Sequence, residues 1–246
     1  MAKRLGHLYV HRPVVWVVGA SRGIGKEIAA QFASIGCEVA LSGRSIRQLQ
    51  EVVKTITGLG GRAYPFPCDV MHNASVVAAA RRIRSELGDI GVLVNNAGVT
   101  VFKSFLDTSV GEFRDIISTN LEGPIACTKA VLPGMVRCKK GWIFNILSNA
   151  AIKTFEGSAA YTATKAGMLG LARVLREELR AYNVKVVNIL PGAIETDMWS
   201  AAMRRKYGHR MMRAKSVGEA VLSAYRMPDD VVVDEIVIRP IKGDIG

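Results

Sequence analysis

The chain has 246 residues, 49% of them apolar, and Lys and Arg outnumber Asp and Glu by twelve. That is enough apolar material for one continuous core, and no linker, repeat or low-complexity tract divides it, so a single domain over residues 1–246 is expected. Positive charge of this size admits nucleic acid, an anionic cofactor or an acidic substrate or carrier, and does not choose among them.

From the start, Met1–Pro13 is basic and mixed, and the apolar run Val14–Val18 is too short for a signal segment or a membrane span. A soluble, cytoplasmic protein without a membrane partner is therefore expected. Apolar, β-branched runs then recur at Glu38–Leu41, Ala63–Phe66, Val92–Asn95, Trp142–Leu147, Lys185–Leu190 and Glu235–Arg239. Helical patterns lie between them at Gly23–Ile35, Ile46–Leu59, Ala74–Leu87, Val110–Val136, Tyr161–Ala181 and Val217–Tyr225. This alternation predicts an α/β fold, a doubly wound seven-stranded parallel sheet with helices on both faces. Residues 196–215 read as a long irregular insertion, a candidate substrate lid. Cys37, Cys68, Cys127 and Cys138 are scattered without CxxC pairing, which fits a reducing compartment, and no metal site is expected.

Directly after the first strand comes Gly19-Ala20-Ser21-Arg22-Gly23-Ile24-Gly25, opening a helix. Glycines there permit a tight turn and close approach to a pyrophosphate, which the positive end of the helix attracts. At the end of the second strand, where a carboxylate would hold the adenosine ribose, stand Gly43 and Arg44. Arg44 and Arg22 offer permanently charged forks for a 2′-phosphate, so NADP(H) is expected over NAD(H).

Carbonyl reduction needs a proton donor and hydrogen-bond donors aimed at the oxygen. Tyr161 and Lys165 sit at i and i+4, about 5–6 Å apart on one helix face, where the ammonium would lower the phenol's pKa. Ser148 ends the preceding strand, where its hydroxyl could meet the same substrate oxygen or cap a turn. Asn120 lies within a helical stretch, where an amide needs either partners or a task.

Gly19-x-x-x-Gly23-x-Gly25, Asp69-Val70, Asn95-Asn96-Ala97-Gly98, Asn120, Ser148, Tyr161-x-x-x-Lys165 and Pro191-Gly192 stand in the order and spacing of one family. Over residues 13–240 the chain resembles the classical short-chain dehydrogenases/reductases. The resemblance implies a Rossmann-type domain with Tyr161 as acid–base and Lys165 lowering its pKa and binding the nicotinamide ribose. It further implies that Ser148 orients substrate and that Asn120 holds a water of the proton relay. By the same carry-over, Asp69 and Val70 meet the adenine, Asn96, Ala97 and Gly98 line the cofactor, and Pro191, Gly192, Ile194 and Thr196 contact its nicotinamide side. A homodimer or homotetramer through the two long helices is also implied.

Two departures are visible. Val18 precedes Gly19 where the family usually has Thr, and the last strand ends Ile238-Arg239-Pro240 without the Asp-Gly-Gly of 3-oxoacyl-carrier reductases. The leading expectation is a carbonyl reductase or alcohol dehydrogenase acting on a small ketone or secondary alcohol. A 3-oxoacyl-acyl-carrier-protein reductase is the enzymatic alternative, because Arg204, Arg205, Lys206 and Arg210 could steer an acyl thioester, with Met198, Trp199, Met203, Met211 and Met212 as apolar contacts. A cofactor-sensing or nucleic-acid-binding protein of the same fold is the non-enzymatic one, and the complete Asn120, Ser148, Tyr161 and Lys165 set argues against it.

Overall fold

A computed structural model describes residues 13–244. The reading of Met1–Pro13 falls outside these residues except at Pro13. Seven strands run β1 (Val14–Val18), β2 (Glu38–Ser42), β3 (Arg62–Pro65), β4 (Ile90–Asn95), β5 (Gly141–Ile146), β6 (Val184–Pro191) and β7 (Glu235–Ile238). They form one parallel sheet in the order β3-β2-β1-β4-β5-β6-β7. The helices are α1 (Gly23–Ser34), α2 (Ile46–Gly58), α3 (Asn73–Leu87), α4 (Val110–Ile117), α5 (Gly123–Cys138), α6 (Ala159–Leu179), α7 (Ala201–Tyr207) and α8 (Ala214–Tyr225). Among the described residues none is long and apolar enough to cross a membrane.

Each central strand is buried on both faces, which is why it reads as an unbroken apolar run rather than an alternation. In β1, Val15 and Val17 join Phe32, Phe144 and Val221 on one side of the sheet. Val14, Trp16 and Val18 join Leu93, Ile143 and Val131 on the other. The chain order reverses between β1 and its neighbour β4, which opens a crevice at the carboxyl ends of these strands.

Two expectations are corrected. The predicted helix Val110–Val136 is broken: α4 ends at Ile117, a π turn follows over Ser118–Glu122, and α5 begins at Gly123. Pro124 accounts for the break, because it has no N–H to give the carbonyl of Asn120, its α-helical partner. The insertion 196–215 is not irregular. It carries α7, a 3-10 turn at Gly208–Arg210 and the start of α8, and is tied back by a bridge between Ile194 and Met212. Ser200 starts α7 by accepting from the Met203 N–H at 3.2 Å.

A row of buried amides crosses the middle of the sheet. Asn95 Nδ2 donates to Asn145 Oδ1 at 3.0 Å, and Asn145 Nδ2 donates to Asn188 Oδ1 at 3.1 Å. The three are register partners on β4, β5 and β6, so the bonds lock the alignment of the strands that carry the crevice. Asn145→Ala leaves a donor and an acceptor unpaired and is expected to lower unfolding free energy by about 2–4 kcal/mol. Urea denaturation checks this, and an unchanged midpoint contradicts it.

Candidate active site

The turn after β1 is shaped by what it touches. Gly19 has φ +82°, and a Cβ there would lie 2.7 Å from the Ala97 backbone. A Cβ on Gly25 would lie 2.2 Å from the Gly19 carbonyl oxygen and 2.6 Å from Asn96 Nδ2. Asn96 Nδ2 donates to that same carbonyl at 2.8 Å. Gly23 is left-handed, at φ +54°, with Thr196 beside it. Gly19 and Gly25 are thus required by close backbone packing, and Gly23 is favoured by the left-handed conformation.

Beyond this turn, α1 begins at an extended Arg22 with no side-chain cap and no acidic residue in its first turn. Its first N–H groups are left for an anion. A cleft of about 380 Å³ opens here, lined by Gly19, Ser21, Arg22, Gly23, Ile24, Arg44, Asp69, Val70, Asn96, Ala97, Gly98 and Thr196. Arg44 is exposed at its rim. Arg22 lies 3.7 Å from Asp197, which the sequence reading missed and which also binds Arg204 at 2.7 Å. Asp69 folds its own turn, Oδ1 accepting from the Met71 N–H at 3.1 Å.

A larger cleft, of about 860 Å³, continues from the first and shares Ile24, Asn96, Gly98 and Thr196 with it. It holds Ser148, Tyr161, Lys165, Pro191, Gly192 and Ile194. Its outer wall is apolar: Phe102 and Trp199 stack at 5.4 Å, with Phe155, Met198 and Met203 nearby. Met211 and Met212, expected as substrate contacts, are not part of this wall; Met212 packs on the core instead. Gly25 and Asn120 line neither cleft.

Tyr161 and Lys165 face inward from the first turns of α6 and are both buried. Lys165 Nζ donates to the Ile146 carbonyl at 2.9 Å and stands 5.5 Å from the Tyr161 ring centre. Burial pulls the Lys165 ammonium down to about 8. Burial pushes the Tyr161 phenol up to about 12, with Ser148 acting in the opposite direction. The expectation that the cation lowers the phenol is not met: at this buried position the cost of charging the phenol dominates. Tyr161 is consequently protonated at neutral pH, the form a donor to a carbonyl oxygen requires.

Ser148 Oγ accepts from the Ala150 N–H at 3.1 Å and donates to Asn149 Oδ1 at 3.3 Å. Asn120 is 1% exposed, and its amide is committed. Oδ1 accepts from the Val99 N–H at 2.8 Å, while Nδ2 donates to the Val99 carbonyl at 2.8 Å and to Thr164 Oγ1 at 3.3 Å. It therefore ties the loop after β4 to α6 at Thr164, the residue next to Lys165, and the interrupted helix sets it there. Sequence reasoning missed Asn149, Lys153, Asp197 and Asp244; all four are ordinary surface types and become visible only through tertiary contact.

A short chain dehydrogenase family profile matches residues 13–206. The chain belongs to that family. A sepiapterin reductase of Chlorobaculum tepidum is 33% identical over 239 residues, 94% of this chain and 98% of the relative. A 3-oxoacyl-acyl-carrier-protein reductase of Staphylococcus epidermidis is 36% identical over 186 residues, 75% of this chain and 76% of the relative. Among solved structures, a metagenomic short-chain oxidoreductase in complex with NADP is 33% identical, with a TM-score of 0.82 over 93% of this chain and 96% of that one.

The buried lysine makes stability depend on pH. Its pKa falls on folding, from 10.5 to about 8, so between those values the unfolded chain holds more protons and stability rises with pH. The stability of the ligand-free protein relative to Lys165→Met should thus increase from about pH 7.5 to about pH 10 in urea titrations. A pH-independent difference contradicts the burial effect.

Proposed function

We propose that the chain is an NADP(H)-dependent carbonyl reductase or alcohol dehydrogenase that moves hydride between nicotinamide and a ketone or secondary alcohol. The observation that carries this reading is the protonated, buried Tyr161 phenol beside Ser148 and Lys165, where a cleft suited to a dinucleotide meets an apolar one. The cradle fits that cofactor. Its glycines allow the tight turn, the uncapped start of α1 presents N–H groups, and Arg22 and Arg44 line the same cleft as cations suited to a 2′-phosphate. The solved relative complexed with NADP supports the same choice.

When bound, the dinucleotide supplies the hydride. Ser148 donates a hydrogen bond to the carbonyl oxygen, and Tyr161 delivers the proton as negative charge grows there. Lys165, still protonated at neutral pH although burial lowers its pKa to about 8, stabilises the tyrosinate left behind and bonds the ribose. Asn120 holds the loop after β4 against α6, and its backbone carbonyl, deprived of its α-helical partner by Pro124, is suited to a relay water. Asp69 and Val70 border the adenine, and Pro191, Gly192, Ile194 and Thr196 the nicotinamide.

A 3-oxoacyl thioester reductase is the second reading, favoured by the likeness to the staphylococcal enzyme. The basic lid supports it less than its charge suggests, because Arg204 is engaged by Asp197 and Arg210 by tail carbonyls. Exposed Phe105, Leu106, Val110 and Val174 support self-association as a dimer or tetramer.

A panel of ketones, 3-oxo thioesters and secondary alcohols, followed by NADPH absorbance, tests the assignment. Turnover with NADPH in preference to NADH is expected, and Arg44→Asp should raise the NADPH KM by roughly tenfold or more. No turnover with any carbonyl or alcohol contradicts the function; equal use of both cofactors contradicts the role of Arg44.

A further inference from the structure

The last described residue reaches back into the larger cleft. Asp244 lines it with a side chain only 10% exposed. Its Oδ1 accepts from Asn149 Nδ2 at 3.0 Å and its Oδ2 from Lys153 Nζ at 3.1 Å. Arg210 Nη2 donates to the carbonyls of Asp244 at 3.0 Å and Lys242 at 3.4 Å, so the lid segment holds the tail in place. The tail passes over Gly192, where a Cβ would stand 2.9 Å from Pro240 Cδ and 3.3 Å from Asp244 Oδ1.

We propose that Asp244 is a positioning residue for the Ser148 hydroxyl, acting through the Asn149 amide. A carboxylate can only accept hydrogen bonds, so Asn149 must turn its NH2 group toward Asp244. The other end of the amide then faces Ser148 as an acceptor. Ser148 Oγ is thereby held between two fixed groups, the Ala150 N–H at 3.1 Å and Asn149 Oδ1 at 3.3 Å. The bond to Asn149 is long, and it yields readily when a substrate oxygen arrives to accept the serine's hydrogen bond in its place. Without Asp244 the amide is free to rotate and present NH2 to Ser148, which removes the acceptor that orients the serine proton and sets a second donor against the hydroxyl.

This role rests on the reading of Ser148 as donor to the substrate oxygen. The test uses the full chain with NADPH and the best carbonyl substrate of the panel, comparing wild type, Asp244→Ala, Asn149→Ala, their double variant and Asp244→Asn, each checked by thermal melting. Each alanine variant should lower kcat roughly tenfold. The double variant should be no worse than either single, because both remove one linked element. The KM for NADPH should not move. Asp244→Asn, whose amide oxygen can still accept from Asn149, should recover kcat to within about threefold of wild type.

Additive losses in the double variant, or an Asp244→Ala kcat within about twofold of wild type, overturn the proposal. So does a raised substrate KM with intact kcat, which would make Asp244 a substrate contact. If Asp244→Ala melts early, Asn149→Ala and Asp244→Asn decide between the same outcomes. A wild type inert toward every carbonyl overturns the functional reading itself, whereas an active wild type matched by Asp244→Ala removes only the positioning role.

Discussion

The turn after β1 and the loop after β4 pack backbone to backbone, Gly19 against Ala97, with the Asn96 amide donating to the Gly19 carbonyl. Nothing larger than hydrogen fits between them, and they meet at the reversal of strand order, where the crevice opens. From that contact one path runs along the turn to Arg22 and, through the Gly19 and Ala20 N–H bonds to the Ser42 carbonyl, to the end of β2 that carries Arg44. Another runs through Gly98 and Val99 to Asn120, and from there through Thr164 to the face of α6 that carries Tyr161 and Lys165. The glycine-turn cleft and the face of α6 that carries Tyr161 are therefore parts of one packed unit rather than two sites side by side.

Burial then sets the chemistry. The same desolvation moves the two ionisable groups of α6 toward neutrality, the phenol upward and the ammonium downward. On the proposed function, a phenol that keeps its proton beside the Lys165 ammonium one turn away suits reduction, since the proton is present before charge develops on the substrate oxygen. As that charge grows, a partner ammonium becomes more valuable than it is in the ligand-free cleft.

Much of this was legible in the sequence because it is local. Buried parallel strands write themselves as β-branched runs, and all seven fall within a few residues of where the patterns place them. The glycine turn and the i, i+4 pair on α6 are likewise short-range signals. What escaped depends on distant partners. Gly123-Pro124 carried a local warning of the broken helix, but the apolar stripe around it reads as continuous. The lid looked irregular because α7 is short and basic, and it is held by Asp197 and the tail rather than by an apolar face. Asp244 lies 95 residues from Asn149, and no spacing rule joins them. The direction of the Tyr161 pKa shift escaped for a related reason: i, i+4 geometry reports the neighbouring cation but not how deeply the phenol is buried.

The central claim is that the Tyr161 hydroxyl gives and takes the reaction's proton. Measuring kcat for carbonyl reduction alongside the dissociation constant for NADPH, in wild type and Tyr161→Phe, tests it most directly. A fall in kcat on the order of 100- to 10,000-fold with unchanged NADPH binding is the predicted result. Turnover that survives loss of the hydroxyl within a few-fold contradicts the account.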